Sequence, residues 1–323
     1  MNKVEYEQPL KKNRELNEKS SKLNESKVLI ENADFSELST QQKIWIITKV
    51  IINAAKPFIL YMFVPAIVIA VGCFFYKGTI FGVNETYLES ASNFYTFLGI
   101  IVVLITMSRI AKKNGTTVSE EVSLFTNDLN IKYLLGMFLF GFTLSFSISS
   151  VLTLLPDFLM SHYDSLSGGI FTGYDMILIL VSLAVLDPIA EEIVFRGYML
   201  NRLLPFFKER KSVLIVSITF ALCHLDIVWA LYGFILGIIL AKVSIRHDNI
   251  MYSIAIHMGF NFVTVVCYLI STNSKLNDFL FGNKLIIFMY LIIFSLISYV
   301  FYRIYLKNEN IDFEIGSNFF SKK

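Results

Sequence analysis

The sequence predicts an all-α protein that crosses a membrane about eight times, and three observations support this. The chain of 323 residues is 55% hydrophobic and 17% charged, against roughly 45–50% and 25% in average soluble domains. Its apolar residues are gathered into runs close to the ~20 residues that a membrane-spanning helix needs. The formal net charge of +2 gives no reason to expect nucleic acid as a partner. Composition therefore indicates the lipid bilayer as the partner.

Eight segments are apolar and long enough to be predicted as spans. The fifth and sixth are short and nearly continuous, so they form either a tight hairpin or a partly re-entrant pair. A count of seven therefore stays open beside the count of eight. The predicted spans lie near residues 57–76, 92–108, 133–155, 173–194, 212–229, 231–245, 251–271 and 285–303.

The chain ahead of the first span divides into a polar tail and an amphipathic helix. Residues 1–43 mix charges of both signs without an apolar core, which favours disorder and gives no cleavable signal peptide. Residues 44–56 carry a tryptophan among spaced lysines, a pattern typical of a helix in the membrane interface. Ser39 and Gln42 have capping-box spacing. We expect this helix to end at Pro57, ahead of the transmembrane domain.

Lysine and arginine are concentrated in alternate loops, and cytoplasmic loops are the ones that carry such an excess. With eight spans these loops fall on one side, so both termini are predicted to be cytoplasmic, including a polar tail at 307–323. Frequent Ile, Lys and Asn are typical of an AT-rich bacterium, and a multi-pass protein of a bacterial plasma membrane is expected. The basic residues that flank these loops and follow the last span are Arg109, Lys112, Lys113, Lys132, Arg202, Lys208, Arg210, Lys211, Lys242, Arg246, Arg303 and Lys307.

The stretch DPIAEEIVFRGYML at 187–200 places several charged residues at the edge of a predicted span. A charged side chain near the bilayer centre costs at least roughly 2.5–3.5 kcal/mol, so such residues indicate a functional site. Glu192 and Arg196 are four residues apart and can form an ion pair on one helix face. Glu191 points about 100° away and is left as the free carboxylate. The alternative is that the pair only bridges helices.

Two further features of the sequence concern helix packing. Asp187 followed by Pro188 resembles a helix start, with Asp as N-cap and Pro in the first turn. This predicts that the fourth span is interrupted just before the glutamates. Gly233 and Gly237 have the spacing that lets two membrane helices approach closely.

Two of the four histidines lie inside predicted spans. His224 has apolar surroundings in the fifth span, and His257 in the seventh is one helical turn before Asn261. His162 and His247 fall in loops and are interpreted as solvated. A carboxylate, two imidazoles and an amide in a low-dielectric core are the groups that a hydrolytic site uses.

The order of these motifs resembles a known family. Glu-Glu-x-x-x-Arg at 191–196, Phe-x-x-x-His at 220–224 and His-x-x-x-Asn at 257–261 are similar to the three motifs of the CPBP (Abi) intramembrane proteases. That family includes the CAAX-prenyl endopeptidases and the bacteriocin-processing and immunity proteins. The resemblance covers about 173–265, and its specificity comes from the three motifs together.

The resemblance implies a role for each motif residue. Glu191 would be the general base, working with His224 to activate the attacking water. His257 and Asn261 would stabilise the oxyanion of the scissile carbonyl. The neighbouring ion pair would hold the helix and tune Glu191.

The resemblance also implies a metal-dependent activity, for which the residues give weak support. The sequence has no His-Glu-x-x-His, which puts two zinc ligands on one helical turn. Glu191, His224 and His257 could supply the three protein ligands of an open catalytic zinc. The same residues could run a metal-free hydrolysis based on glutamate. We expect the metal-free form, with zinc as the alternative.

The expected activity is hydrolysis of a peptide bond in a membrane-associated peptide or protein. The competing interpretation is a non-catalytic immunity or scaffold protein, or a transporter, because intramembrane Glu and His also mark proton relays. No repeated halves appear in the sequence, which disfavours a transporter. A prenylated tail needs a prenylating host, so a peptide pheromone, a bacteriocin leader or a membrane-protein segment is the expected substrate.

Overall fold

The computed structural model describes residues 39–77, 85–113, 115–122, 129–156, 158–161, 163, 180–224 and 226–306. These residues form helices and no strand, so the all-α prediction is confirmed. The predicted tails at 1–43 and 307–323 lie almost wholly outside the described residues. His162 and the start of the predicted fourth span lie outside them as well.

The helices are numbered in chain order through the described residues. The fifth helix is one continuous helix at 182–203 that alternates π-helical and α-helical turns. The bounds are α1 Thr40–Lys77, α2 Glu85–Lys113, α3 Val118–Glu121, α4 Ile131–Leu154, α5 182–203, α6 Glu209–Leu222, α7 Ile227–His247, α8 Met251–Ser271, α9 Ser274–Phe281 and α10 Lys284–Phe301. A π-helical segment, Tyr302–Leu306, extends α10.

The protein is a multi-pass helical membrane protein, but the predicted count of eight spans is wrong. Among the described residues, 6 helices are long and apolar enough to cross a bilayer. They belong to α1, α2, α4, α7, α8 and α10. Their bounds are Thr40–Phe75, Phe94–Lys113, Ile131–Leu154, Ile227–His247, Met251–Ser271 and Lys284–Leu306.

The two missing spans correspond to α5 and α6. Helix α6 has 14 residues, a length of about 21 Å that is shorter than the ~30 Å hydrocarbon core. It ends at Leu222, and α7 begins at Ile227 and packs against it. The predicted pair is therefore a hairpin. Gly237 allows this close approach, because a Cβ there would lie 3.1 Å from Ser217 Cα of α6.

Helix α1 begins as its capping box predicts. Gln42 N donates to Ser39 Oγ at 3.3 Å, and Ser39 N donates to Gln42 Oε1 at 3.0 Å. The expected end at Pro57 is wrong, because one helix continues through Pro57 and Pro65. The interfacial position of 44–56 stays a prediction.

A side chain from α5 explains how α1 continues through Pro57. Proline has no N–H, so the carbonyl four residues earlier, that of Asn53, loses its helical donor. Arg202 Nη1 donates to this carbonyl at 2.7 Å. The contact replaces the missing hydrogen bond and attaches the end of α5 to the first half of α1.

Helix α5 is the central helix of the fold. All eight residues of Ile193–Leu200 are buried, as expected for a helix that protein surrounds on every side. Helices α1, α2, α6, α7 and α8 pack against it. Its charged residues are therefore enclosed by protein, and they make α5 too polar to count among the apolar spans.

The predicted interruption at Asp187 is wrong. Asp187 has helical torsions, φ −61° and ψ −51°, and its N–H bonds to the Ser182 carbonyl five residues back. The π-helical turns Ser182–Leu186 lie directly before Pro188. The wider π turn gives room for the proline ring, which would clash with the preceding turn of a regular α-helix.

Two glycines fix the packing of α8 on α4. A Cβ at Gly141 would overlap the Ile256 carbonyl oxygen, and a Cβ at Gly259 would overlap the Phe138 carbonyl oxygen. The two backbones therefore touch at reciprocal positions, as small residues allow in membrane helices. Because His257 lies between Ile256 and Gly259 in the chain, this packing also fixes its position along the axis of the bundle.

Gly259→Val should lower the melting temperature of detergent-purified protein and its folded yield. The added side chain must push α4 and α8 apart, and overpacking a tight contact costs about 1–3 kcal/mol or more. Gly233→Ala is the matched control, since a Cβ there has its nearest neighbour at 3.7 Å. A Gly259→Val protein that melts like the control would contradict this packing.

Candidate active site

The predicted site residues lie on α5, on α8 and in the turn that follows α6, and they come together in the interior of the bundle. The structure joins four of them, Glu191, Glu192, Arg196 and His257, through direct polar contacts. The other two, His224 and Asn261, bond to backbone carbonyls instead.

Glu192 and Arg196 form the ion pair that their spacing predicts. Arg196 Nη1 lies 2.6 Å from Glu192 Oε1, and both side chains are 0% exposed. Arg196 Nη2 also donates to the Gly237 carbonyl of α7 at 3.3 Å. The face of the Phe220 ring covers the guanidinium at 4.6 Å, a favourable cation–π arrangement. Arg196 therefore connects α5, α6 and α7.

His257 bridges the two glutamates, a contact that sequence spacing does not predict. Its Nδ1 lies 2.9 Å from Glu192 Oε1 and its Nε2 lies 3.5 Å from Glu191 Oε2. The side chain of His257 is 3% exposed. An ionised Glu192 accepts from Nδ1–H, which orients the imidazole so that Nε2 faces Glu191.

Glu191 is the more accessible of the two glutamates, with 17% of its side chain exposed. The sequence-based interpretation leaves it without an ionic partner on its own helix. The structure gives it a neutral donor from α1, the Tyr61 hydroxyl, 2.8 Å from Oε1. One carboxylate oxygen is thereby held by Tyr61, and the other faces His257.

The Glu192–Arg196 ion pair places one negative and one positive charge side by side in the protein interior. An uncompensated charge is expensive in low dielectric, so a paired arrangement is favoured. Two polar atoms of the ion pair, Glu192 Oε2 and Arg196 Nε, are buried without a hydrogen bond to the described protein.

His224, two residues after the end of α6, is held by a backbone carbonyl of that helix and by aromatic neighbours. Its Nδ1 lies 3.0 Å from the Phe220 carbonyl, so Nε2 is the atom left for water or substrate. The Phe220 ring contacts the rings of both His224 and His257, with centroids at 5.1 and 5.7 Å. Trp229 of α7 lies against His224 at 5.3 Å. The phenylalanine of the second motif thus separates the two imidazoles.

The Asn261 side chain donates a hydrogen bond to a backbone carbonyl that lacks a helical donor because of a proline. Its Nδ2 donates to the Leu183 carbonyl at 3.0 Å. In the π-helical register of this turn, Asp187 N bonds to Ser182 O. The next donor in that register would be Pro188, which has no N–H. Leu183 therefore has a free carbonyl for α8, and Asn261 keeps its second N–H.

The candidate zinc ligands do not fit a metal site in this conformation. Among the described residues, no three His, Cys, Asp or Glu side chains are grouped to hold a metal ion. Glu191 and His257 approach each other, but Nδ1 of His224 contacts the Phe220 carbonyl. The metal-free preference stays a proposal.

Fold and site define a polytopic helical membrane protein with a buried carboxylate–imidazole centre. A family model described as type II CAAX prenyl endopeptidase Rce1-like matches residues 173–263. This confirms the resemblance to the CPBP intramembrane proteases over that segment. No curated protein and no solved structure gives a significant match. The matched segment contains all three motifs and excludes α1.

Sequence reasoning missed two polar residues beside Glu191. Tyr61 lies in an apolar helix among other aromatic residues, and no local pattern distinguishes it. The sequence predicts Asp187 as an N-cap, but it lies one helical turn before Glu191, on the same face. Its Oδ1 is buried and makes no hydrogen bond within the described residues.

The interpretation of His247 as a solvated loop residue is wrong. His247 is the last residue of α7 and is half-buried. Its ring packs against Tyr133 and Tyr252, with centroids at 5.3 and 4.7 Å. It belongs to an aromatic cluster away from the glutamates.

Arg196→Ala should reduce both folded yield and melting temperature. Removing one partner of a buried ion pair costs about 3–5 kcal/mol, because the other charge stays buried. The double variant Glu192→Gln/Arg196→Met removes both charges and should recover folded yield more than activity.

The control for this prediction is Arg210→Ala, an exposed arginine in the first turn of α6. Both variants would be compared by fluorescence-detected gel filtration and thermal melting. Normal accumulation and melting of Arg196→Ala would show that the ion pair does not support the fold.

Proposed function

We propose that this chain is an intramembrane endopeptidase that hydrolyses a peptide bond of a membrane-associated peptide or protein. The observation that supports it best is the contact of His257 with both glutamates inside an apolar helical bundle. Such a group supplies a base and a hydrogen-bond donor in low dielectric, as hydrolysis requires. The match to an endopeptidase family model supports the same reaction class.

Glu191 is the proposed general base. Its Oε1 accepts from Tyr61, which leaves Oε2 for a water molecule. In the first step, the water oxygen forms a bond to the scissile carbonyl carbon while Glu191 takes a proton from that water. In the second step, the C–N bond breaks and the proton passes from Glu191 to the leaving amine. His224, with Nε2 available, assists in orienting the water.

His257 and Asn261 are the proposed donors to the oxyanion. Glu192 accepts from Nδ1–H of His257 and holds the ring in place. When Nε2, which lies 3.5 Å from Glu191 Oε2, also carries a proton, this fixed N–H donates to the carbonyl oxygen of a bound substrate. The second N–H of Asn261, one turn along α8, faces the same oxyanion in this proposal. Fixed donors in a water-poor site stabilise developing charge strongly.

The substrate is proposed to reach the site from within the membrane. Helix α5 is enclosed by protein, and its glutamates lie among helices long enough to span the bilayer. A peptide that inserts into, or is anchored to, the bilayer is therefore the proposed substrate. The family model is named for prenylated CAAX substrates, so a prenylated and an unprenylated peptide are both included in the test.

Glu191→Gln should abolish cleavage while the protein still folds. The amide keeps the shape and can still accept from Tyr61, but it cannot take a proton. Loss of a general base reduces turnover about 10²–10⁴-fold. Two readouts apply: proteomics of membrane peptides from cells, and purified protein in vesicles with internally quenched peptides, one ending in a farnesylated CAAX tail and one unmodified.

The control is Glu209→Gln, a carboxylate in the first turn of α6 that is exposed. It should match wild type in both assays. Product formation by Glu191→Gln at the wild-type rate would contradict catalysis by this residue. Full rescue of a cellular phenotype by Glu191→Gln would point instead to a binding function, as in an immunity or scaffold protein.

A tight chelator distinguishes the metal-free mechanism from a zinc mechanism. We expect wild-type turnover to survive the chelator, because Glu191 activates water without a metal. Loss of activity that zinc restores, together with one bound metal per chain, would contradict the metal-free proposal. That result would assign Glu191, His224 and His257 as ligands in a rearranged site and keep the protease function.

A further inference from the structure

We propose that Tyr61 of α1 is a positioning residue for Glu191, so that the active site includes a helix outside the family-matched segment. The inference rests on the proposed function, and it names a residue that the three motifs do not contain. The contact that carries it is the hydrogen bond from the Tyr61 hydroxyl to Glu191 Oε1, at 2.8 Å.

Helix α1 is attached to α5 at two heights. Asn53, early in α1, accepts from Arg202 near the end of α5 at 2.7 Å. Tyr61 lies two turns after Asn53 in α1, and it bonds to Glu191, which lies three turns before Arg202 in α5. The two helices therefore run antiparallel. Because Pro57 releases the Asn53 carbonyl, the contact with Arg202 fixes how α1 lies along α5.

The Tyr61 ring is also fixed by packing. It lies edge-on to the Phe195 ring, with ring centroids 6.3 Å apart. Phe58, one turn earlier in α1, also packs on the Phe195 ring, with centroids 5.9 Å apart. Phe195 is 0% exposed. With the ring held in this way, its hydroxyl has a defined position beside Glu191. A fixed donor of this kind holds a catalytic group in its productive orientation.

The hydroxyl makes the two carboxylate oxygens of Glu191 different from each other. Oε1 accepts from Tyr61, whereas Oε2 faces His257 Nε2. Without Tyr61, Glu191 could rotate, or turn towards other groups on the open side of the site. Asp187, one turn away on the same helix face, would repel Glu191 when both are ionised. Tyr61 therefore sets which oxygen is offered to water.

Tyr61→Phe is the direct test, because it removes the hydroxyl and keeps the ring on Phe195. In the vesicle assay with the quenched peptides, we expect kcat to fall about 10- to 100-fold, the effect of losing a hydrogen bond to a charged group. KM should stay unchanged, since Tyr61 does not touch substrate. Tyr290→Phe is the matched control: it removes a hydroxyl from α10, which carries none of the site residues, and should keep kcat close to wild type.

A thermal double-mutant cycle tests the hydrogen bond independently of activity. Tyr61→Phe and Glu191→Ala would be measured singly and together, and we expect less than additive losses in melting temperature. Additive losses would overturn the inference whatever the activity shows. If the losses in melting temperature are less than additive but Tyr61→Phe keeps the wild-type kcat, the positioning role is overturned. If they are less than additive and the wild-type protein cleaves neither peptide, the proposed function is contradicted instead.

Discussion

The carboxylate of Glu192 is the group on which the rest of the site depends. Its Oε1 lies 2.6 Å from Arg196 and 2.9 Å from His257, and its side chain is completely buried. A lone carboxylate in this environment would be strongly destabilising. With two partners it joins α5 to α8, and through Arg196 it reaches α6 and α7 as well. The imidazole that faces Glu191 is oriented by this one residue.

Prolines contribute to the architecture by releasing backbone carbonyls. Pro57 frees Asn53 for Arg202, and Pro188 frees Leu183 for Asn261. A proline inside a helix removes a hydrogen bond, and neighbouring helices in a membrane protein commonly supply the replacement. In this protein both replacements come from side chains on other helices. One attaches α1 to α5, and the other attaches α8 to α5, on which the two glutamates lie.

Local features of the site and fold could be predicted from the sequence, because they depend on short spacings. Glu192 and Arg196 pair at four residues, and Ser39 and Gln42 cap α1 at three. The contact of His257 with Glu192 spans 65 residues, and no periodicity predicts it. The count of spans failed at α5 and α6. Charged residues interrupt the apolar sequence of α5, and α6, with 14 residues, is shorter than a span.

The tyrosine beside Glu191 shows the limit of motif reasoning. The three motifs lie in 173–263, where the family model also matches, and Tyr61 lies 130 residues before the glutamate it contacts. Its local sequence is that of an ordinary membrane helix. Only the packing of α1 along α5 brings its hydroxyl to Glu191. Residues that orient a catalytic group are easily missed when they come from an element with no motif of its own.

Whether Glu192 accepts a hydrogen bond from Nδ1–H of His257 and so orients the imidazole can be measured directly. Solid-state NMR of ¹⁵N-histidine-labelled protein in bilayers has only four imidazoles to assign. The account predicts that His257 Nδ1 carries a proton in a strong hydrogen bond in wild-type protein. This signature should be lost in Glu192→Gln and retained in Glu209→Gln. An unprotonated Nδ1 in wild type, or an unchanged signal in Glu192→Gln, would contradict it.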